Sequence, residues 1–270
     1  MITATSNNQI KNLIQLQTKA SARNRQKLFV VEGIKIVLET PDELLQDIYI
    51  SEEIINDSNI MKRIEDKLKK AECHGCKNLI TVSSKVFKTV SDTVTPQGVM
   101  AVVKQKHDSL ESILSINNKE KTIMILDNLR DPGNMGTIIR TGEGAGITGI
   151  LMNSGCVDIY NPKVTRSTMG SIFRVPICIS QNLTEDIDKL KQKGFKIFAG
   201  HLKGEDYDKH PHFFGNIGIV IGNEANGISD EVSQMADELI RIPMSGKVES
   251  LNASVAAAIL MYEARSRKNT

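Results

Sequence analysis

Three stretches in the second half of the 270-residue chain gather polar side chains around the ends of apolar runs. In LDNLRDPGNMGTIIRTGEGAG (126–146) an apolar run stops at Asp127 or Asn128, and Asp131 is set to cap a helix that starts at Pro132. Met135, Ile138, Ile139 and Gly142 recur at helical spacing, and Arg140 is the only charge between Pro132 and Gly142. Its ordinary role is a surface arginine on an amphipathic helix. Its chemical role is a cation at the strand ends, where open α/β sheets bind ligands. In IGIVIGNEANGIS (217–229) a buried strand ends in Gly222-Asn223-Glu224, ahead of a turn at Asn226-Gly227. A carboxylate and an amide there suit a polar ligand, although a plain strand-to-helix turn would look the same. In RIPMSGKVESLNASVAAAILMYEARSR (241–267) a strand runs into Pro243, a glycine loop follows, and Ser250 is placed to cap the last helix. Leu251, Val255, Ile259 and Tyr262 form its expected buried stripe, and the alanines permit close packing. Capping accounts for Ser250 but leaves Asn252 without a task. Both stand where free backbone N–H groups open a helix.

Elements able to position these residues follow from the apolar pattern. Strands are expected at 122–128, 149–153, 175–180, 196–200, 217–222 and 239–243, with helical patterns between several of them and one closing the chain. Near-continuous apolar strands alternating with helices imply a mostly parallel sheet covered on both faces. The first third mixes short strands at 28–33, 47–51, 79–83 and 99–104 with helices, making a smaller α/β domain. The polar NNKEK stretch is the best linker, so the expected domains are 1–118 and 119–270.

Composition narrows the partners. The chain is 40% hydrophobic, enough for a core, and its apolar runs fall far short of the ~20 residues that span a bilayer. The N-terminus lacks the pattern of a secretory signal, so a soluble cytoplasmic protein with no membrane partner is expected. Net charge is only +2. Yet Lys11, Lys19, Arg23, Arg25 and Lys27 occupy residues 1–31 with no acidic residue among them. Such a one-signed segment suits RNA, or is simply a solvated basic face. Cys73 and Cys76 form a CxxC, but no second ligand pair stands at zinc-site spacing; with Cys156 and Cys178 they are expected to be reduced thiols, with no metal. The glycine run 144–149 matches GxGxxG but closes a helix and precedes a strand. A dinucleotide fingerprint has the opposite order, which disfavours a nicotinamide enzyme.

Taken together, NLRDPGNMGTIIRT, IGNEANGIS and IPMSGKVESLNASVAAA resemble the three signature motifs of the SpoU, or TrmH-like, branch of SPOUT methyltransferases, in the family's order and separation. The resemblance covers roughly residues 122–267. KLFVVEGIKIVLE and SDTVTPQGVMAVV are similar to the L30e-like RNA-binding domain that precedes it in that family. It implies a C-terminal trefoil knot, which no periodicity argument reaches, a homodimer with active sites near its interface, and S-adenosylmethionine as cofactor. Matched position by position, Asn134 and Arg140 correspond to the polar pair of the first motif, Glu224 to the acid of the second, and Ser250 and Asn252 to the pair of the third. Gly222, Ile242, Met244, Leu251 and Asn252 correspond to the cofactor pocket. Ala225-Asn226 departs from the family's usual Glu or Pro with Gly.

The implied reaction is methylation of a ribose 2'-hydroxyl in structured RNA, most simply large-subunit (23S) ribosomal RNA. Arg140 would activate the hydroxyl, either as an alkoxide-stabilising cation or as a base whose charge an adjacent phosphate alters. Asn134, Ser250 and Asn252 would orient the reacting groups, Glu224 would support the loop, and Lys19, Arg23, Arg25 and Lys27 would bind RNA. The alternatives are a ribosome-assembly factor without turnover and a transfer-RNA ribose methyltransferase.

Overall fold

The computed structural model describes residues 1–76, 78–209 and 213–268. Helices α1 (Asn8–Thr18) and α2 (Ala20–Gln26) precede strand β1 (Leu28–Glu32). Then come α3 (Ile34–Glu39), β2 (Leu45–Ser51), α4 (Ser58–Glu72), β3 (Asn78–Val82), α5 (Ser84–Val90) and β4 (Val99–Lys104). The second half begins with α6 (Leu110–Leu114), β5 (Thr122–Leu126), α7 (Pro132–Ala145), β6 (Gly149–Asn153) and α8 (Pro162–Thr168). It continues through β7 (Ile177–Ser180), α9 (Leu183–Gln192), β8 (Lys196–Asp206) and β9 (Ile217–Ile221). It ends in α10 (Asp230–Met235), β10 (Glu238–Arg241) and α11 (Ala253–Lys268).

These elements form two units. The first takes residues 1–106 together with 158–173, and the second takes 107–157 and 174–270. Leu110 and Ile113 of α6 are buried in the core of the second unit, which is why that unit starts well ahead of the polar NNKEK stretch.

The first unit is built on a four-stranded sheet in the order β1-β4-β2-β3, with β2 and β3 parallel and the other pairs antiparallel. Ile10, Leu13 and Leu16 project from α1 at helical spacing onto Val30, Tyr49, Met100 and Val102 of that sheet. Residues 158–173 complete this unit from far along the chain. Tyr160 lies 4.5 Å, ring centre to ring centre, from Phe29, and its hydroxyl accepts from the backbone N–H of Lys106 at 2.9 Å. Asp158 binds Arg23 through both Nε, at 2.8 Å, and a terminal nitrogen, at 2.7 Å. Arg23 also donates to the carbonyls of Leu16 and Gln17 and is only 3% exposed. This corrects the expectation that Arg23 contacts RNA. Its charge is spent holding α1, α2 and the inserted segment together, whereas Lys19, Arg25 and Lys27 remain exposed.

The second unit has a six-stranded sheet in the order β10-β8-β9-β5-β6-β7, and every neighbouring pair is parallel. β5 and β9 are buried at every residue, as the centre of a sheet flanked by helices requires. α7 starts as its sequence implies: Asp131 accepts from the backbone N–H of Asn134 at 2.8 Å, Pro132 stands in the first turn, and Gly146 ends the helix in the left-handed conformation. The glycine run 144–149 therefore closes α7 and leads into β6, the reverse of a dinucleotide loop. α11 packs on α7, but not through its expected stripe. Ser254, Ala257, Leu260, Met261 and Ala264 are buried, while Val255 and Tyr262 are 46% and 48% exposed. The glycines of α7 let larger side chains of α11 come close: a Cβ at Gly142 would stand 3.6 Å from Met261 Sδ, and one at Gly144 would stand 3.3 Å from the Tyr262 hydroxyl. No described helix is long and apolar enough to cross a membrane, and the described residues hold no cluster of three potential metal ligands.

Candidate active site

At the C-terminal edge of the parallel sheet, each of three adjacent strands β9, β5 and β6 hands over from apolar to polar residues. Asp127, directly after β5, is 1% exposed. One of its oxygens accepts from Asn128 Nδ2 and Asn153 Nδ2, both at 2.8 Å, and the other accepts from the backbone N–H of Ser229 at 2.8 Å. A buried carboxylate is tolerated only when hydrogen-bonded in this way. Asn153 Oδ1 accepts in turn from the Asn128 N–H at 3.1 Å, and Asn223 Nδ2 donates to the Asn128 carbonyl at 2.9 Å. Asn128 sits at φ +55°, a conformation Asn tolerates better than most residues. Cys156 lies against this network, and burial pushes its thiol up to about 11, so it is no nucleophile at neutral pH.

Glu224 joins the first two motifs. Its Oε1 accepts from the Asp131 N–H at 2.9 Å and from Asn134 Nδ2 at 3.0 Å, and its Oε2 accepts from the Arg130 N–H at 3.1 Å. Partial burial works to raise its pKa, but the hydrogen bonds from Asn134 and from the backbone of Asp131, Glu224 and Arg130 outweigh it, and the carboxyl is held below its ordinary value. The loop that presents Glu224 folds back sharply: Asn223 and Gly227 exchange backbone hydrogen bonds at 2.8 and 2.9 Å. A Cβ at Gly222 would run into the Gly227–Ile228 backbone, so only glycine fits there.

The third stretch is organised differently. Ser250 does not cap α11. Asn252 does, accepting from the Ser254 N–H at 2.9 Å and the Ser254 hydroxyl at 2.7 Å. The expected division of labour is therefore reversed: Asn252 has a structural task, and Ser250, exposed, makes no side-chain hydrogen bond among the described residues. Ile242, Met244 and Leu251 are half-buried in the loop that leaves β10. Three such apolar side chains in one loop have the character that an adenosyl group needs in the walls around its base.

The structure thus brings Asn134 and Glu224 into contact and leaves Arg140, Ser250 and Asn252 outside that cluster. Arg140 is exposed on α7, and among the described residues it has no ion-pair partner. The sequence marks Asn223 as an amide suited to a polar ligand and Asp127 and Asn128 only as a strand end, and it gives Asn153 and Ser229 no role. Their signal was available: a polar residue follows directly on three apolar strands, the place where an α/β sheet binds its ligand. Chemically, the edge offers fixed amides and carboxylates, an exposed guanidinium on the adjoining helix and an apolar loop.

Comparison with known proteins places this geometry. Residues 121–262 match the model of the SpoU rRNA Methylase family, and residues 7–101 match that of the MRM3-like substrate binding domain. The chain is 30% identical over 267 residues, 98% of each protein, to the 23S rRNA (guanosine(2553)-2'-O)-methyltransferase RlmP of Bacillus subtilis. An rRNA methyltransferase from Sinorhizobium meliloti, solved with AdoMet bound, superposes with a TM-score of 0.85 at 30% identity, covering 98% of this chain and 97% of that one. The TrmH/SpoU tRNA modifying enzyme of A. aeolicus, also 30% identical, covers 58% of this chain and 79% of its own, with a TM-score of 0.51.

Proposed function

Because the chain belongs to the SpoU rRNA Methylase family, we propose that it is an S-adenosylmethionine-dependent methyltransferase that modifies a ribose 2'-hydroxyl of 23S ribosomal RNA. The observation that carries this reading is the Asn134–Glu224 hydrogen bond, which locks two separate motifs together at the ligand edge of a parallel sheet. Ribosomal rather than transfer RNA is favoured because the A. aeolicus tRNA enzyme matches little more than half of this chain, whereas RlmP matches both units.

In this reading Gly222, Ile242, Met244, Leu251 and the backbone around Asn252 hold the cofactor. When bound, S-adenosylmethionine supplies a methyl group already activated by its positive sulfur. What remains for the protein is the nucleophile, since a ribose hydroxyl ionises far above neutral pH. Arg140, exposed and without an ion-pair partner among the described residues, places its guanidinium beside the 2'-oxygen and stabilises the negative charge that develops there. Ser250 donates a hydrogen bond to the ribose or its phosphate. Asn134 is a positioning residue: it is held by Glu224, and it fixes the first turn of the helix that carries Arg140. Fixed placement of the hydroxyl in line with the methyl supplies much of the acceleration.

The reading extends to assembly and place. A second copy covers the exposed Val255 and Tyr262 of α11, giving the family's homodimer, and the segment from β9 to α11 forms its trefoil knot. The first unit binds RNA with Lys19, Arg25 and Lys27, and the enzyme acts in the cytoplasm, where ribosomal RNA is matured. The test is a map of 2'-O-methylation across ribosomal and transfer RNA from cells with and without this protein. Loss of one 23S ribose methyl group is expected. Loss confined to transfer RNA would overturn the substrate, and no loss in either RNA would overturn the reaction.

A further inference from the structure

The loop Ser91–Gly98, between α5 and β4, is fastened at both ends and carries the most exposed large apolar side chain among the described residues. Glu32, the last residue of β1, holds one end. Its carboxylate accepts from the Ser91 hydroxyl, from Thr93 Oγ1 at 2.7 Å and from the Asp92 N–H at 3.1 Å. Ser91 Oγ accepts in addition from the Thr93 N–H at 3.0 Å, and Asp92 is paired with Arg166 of α8. At the other end Gln97 Oε1 accepts from the Ile34 N–H at 2.9 Å, and the Gly98 carbonyl accepts from the Ser51 N–H at 2.8 Å. Gly98 lies at φ +74°, and a Cβ there would stand 2.6 Å from Ile54 Cγ1, so the exit from the loop has one available path. Between these anchors Val94 is 101% exposed.

Folding gains nothing from Val94 in that position, because an apolar side chain stabilises a fold only when removed from water. Nor is the exposure a by-product of slack, since the surrounding hydrogen bonds hold the loop at five of its eight residues. A stiff β-branched side chain on a braced loop is a contact prepared in advance, with little ordering left to do on binding.

We propose that this loop is the element of the first unit that engages an unpaired nucleotide of the RNA, with Val94 seated against the splayed base. This rests on the methyl-transfer reading above. RNA is the indicated occupant for two reasons. The loop falls wholly within residues 7–101, the stretch that matches a substrate binding domain. Exposed cations flank both anchors along the chain: Lys88 in the last turn of α5, three residues before Ser91, and Lys35, next to Ile34, whose amide Gln97 accepts from, and paired loosely with Glu39 at 3.8 Å. Cations position the phosphate backbone while an apolar contact addresses the base, and folded RNA offers accessible bases chiefly in loops and bulges.

The experiment uses the full-length protein, deproteinised ribosomal RNA from cells lacking it, and labelled S-adenosylmethionine. Val94→Asp should raise the KM for RNA about tenfold, the size of a central contact in an interface, while melting temperature and affinity for S-adenosylhomocysteine stay at the wild-type values. Val94→Ile should recover most of the lost affinity. A KM for Val94→Asp within about twofold of wild type, beside an active wild type, overturns the loop assignment and leaves the methyl-transfer reading standing. A fall in turnover at unchanged KM also overturns it, since the loop would then act after RNA capture. A wild type that transfers no methyl group to this RNA overturns both.

Discussion

Two parts of the same sheet edge are built on opposite plans. At the ends of β5, β6 and β9, Asp127, Asn128, Asn134, Asn153, Asn223 and Glu224 are knitted by hydrogen bonds of 2.8–3.1 Å, and the geometry exists before any ligand arrives. In the loop from Ile242 to Leu251, no described side chain makes a hydrogen bond or an ion pair, and order returns only where Asn252 caps α11. The knitted part is a fixed frame; in the proposed reading the unbonded part supplies contacts that a bound ligand would complete. Arg140 shares the openness of the second kind although it grows from the first, exposed on a helix whose first turn is locked.

The largest effect that tests this contrast is at Arg140. Arg140→Ala should lower methyl transfer by on the order of 10²–10⁴-fold, the range for removing a group that acts on charge in the transition state. Melting temperature and S-adenosylhomocysteine binding, by calorimetry, should hardly move. Near-normal single-turnover rates would take the chemistry away from this residue.

Glu224→Ala probes the frame itself. It strips the acceptor from two backbone N–H groups and from Asn134, and should lower stability by about 1–2 kcal/mol at neutral pH, tempered by solvent access. The effect has a pH signature. The folded-state pKa of Glu224 lies below its ordinary 4.5, so its stabilisation is complete above that value and is lost as pH falls through the folded pKa. The difference in melting temperature between wild type and variant should therefore be constant near neutrality and shrink in acid. A difference that grew in acid would contradict the assigned hydrogen bonding.

The smallest effects separate Asn252 from Ser250. Asn252→Ala removes a helix cap and should cost about 1 kcal/mol of stability. Ser250→Ala should change stability by less than about 0.5 kcal/mol, as for a surface position, yet slow transfer at saturating RNA. Equal melting temperatures for wild type and Asn252→Ala would mean that the cap contributes nothing, and the contrast between the two halves of the edge would weaken.

Local information in the chain was enough to reveal the alternation of strands and helices, the start of α7 at Asp131–Pro132, and the three motifs that carry the family resemblance. Each of these depends on residues within a few positions of one another: apolar periodicity, a cap, a proline at the first turn. What escaped was every feature set by partners distant in sequence. Arg23 reads as one more exposed cation until the structure supplies Asp158, 135 positions later. The stripe Leu251, Val255, Ile259 and Tyr262 has the right spacing for a buried face, but which face of α11 turns inward depends on its packing against α7, which buries Ala257, Leu260, Met261 and Ala264 instead. Asn134 and Glu224, 90 residues apart, meet only because the sheet order sets β9 directly beside β5. Periodicity is a property of one segment, whereas burial and convergence are properties of a pair, and the second segment of each pair is chosen by the tertiary fold alone.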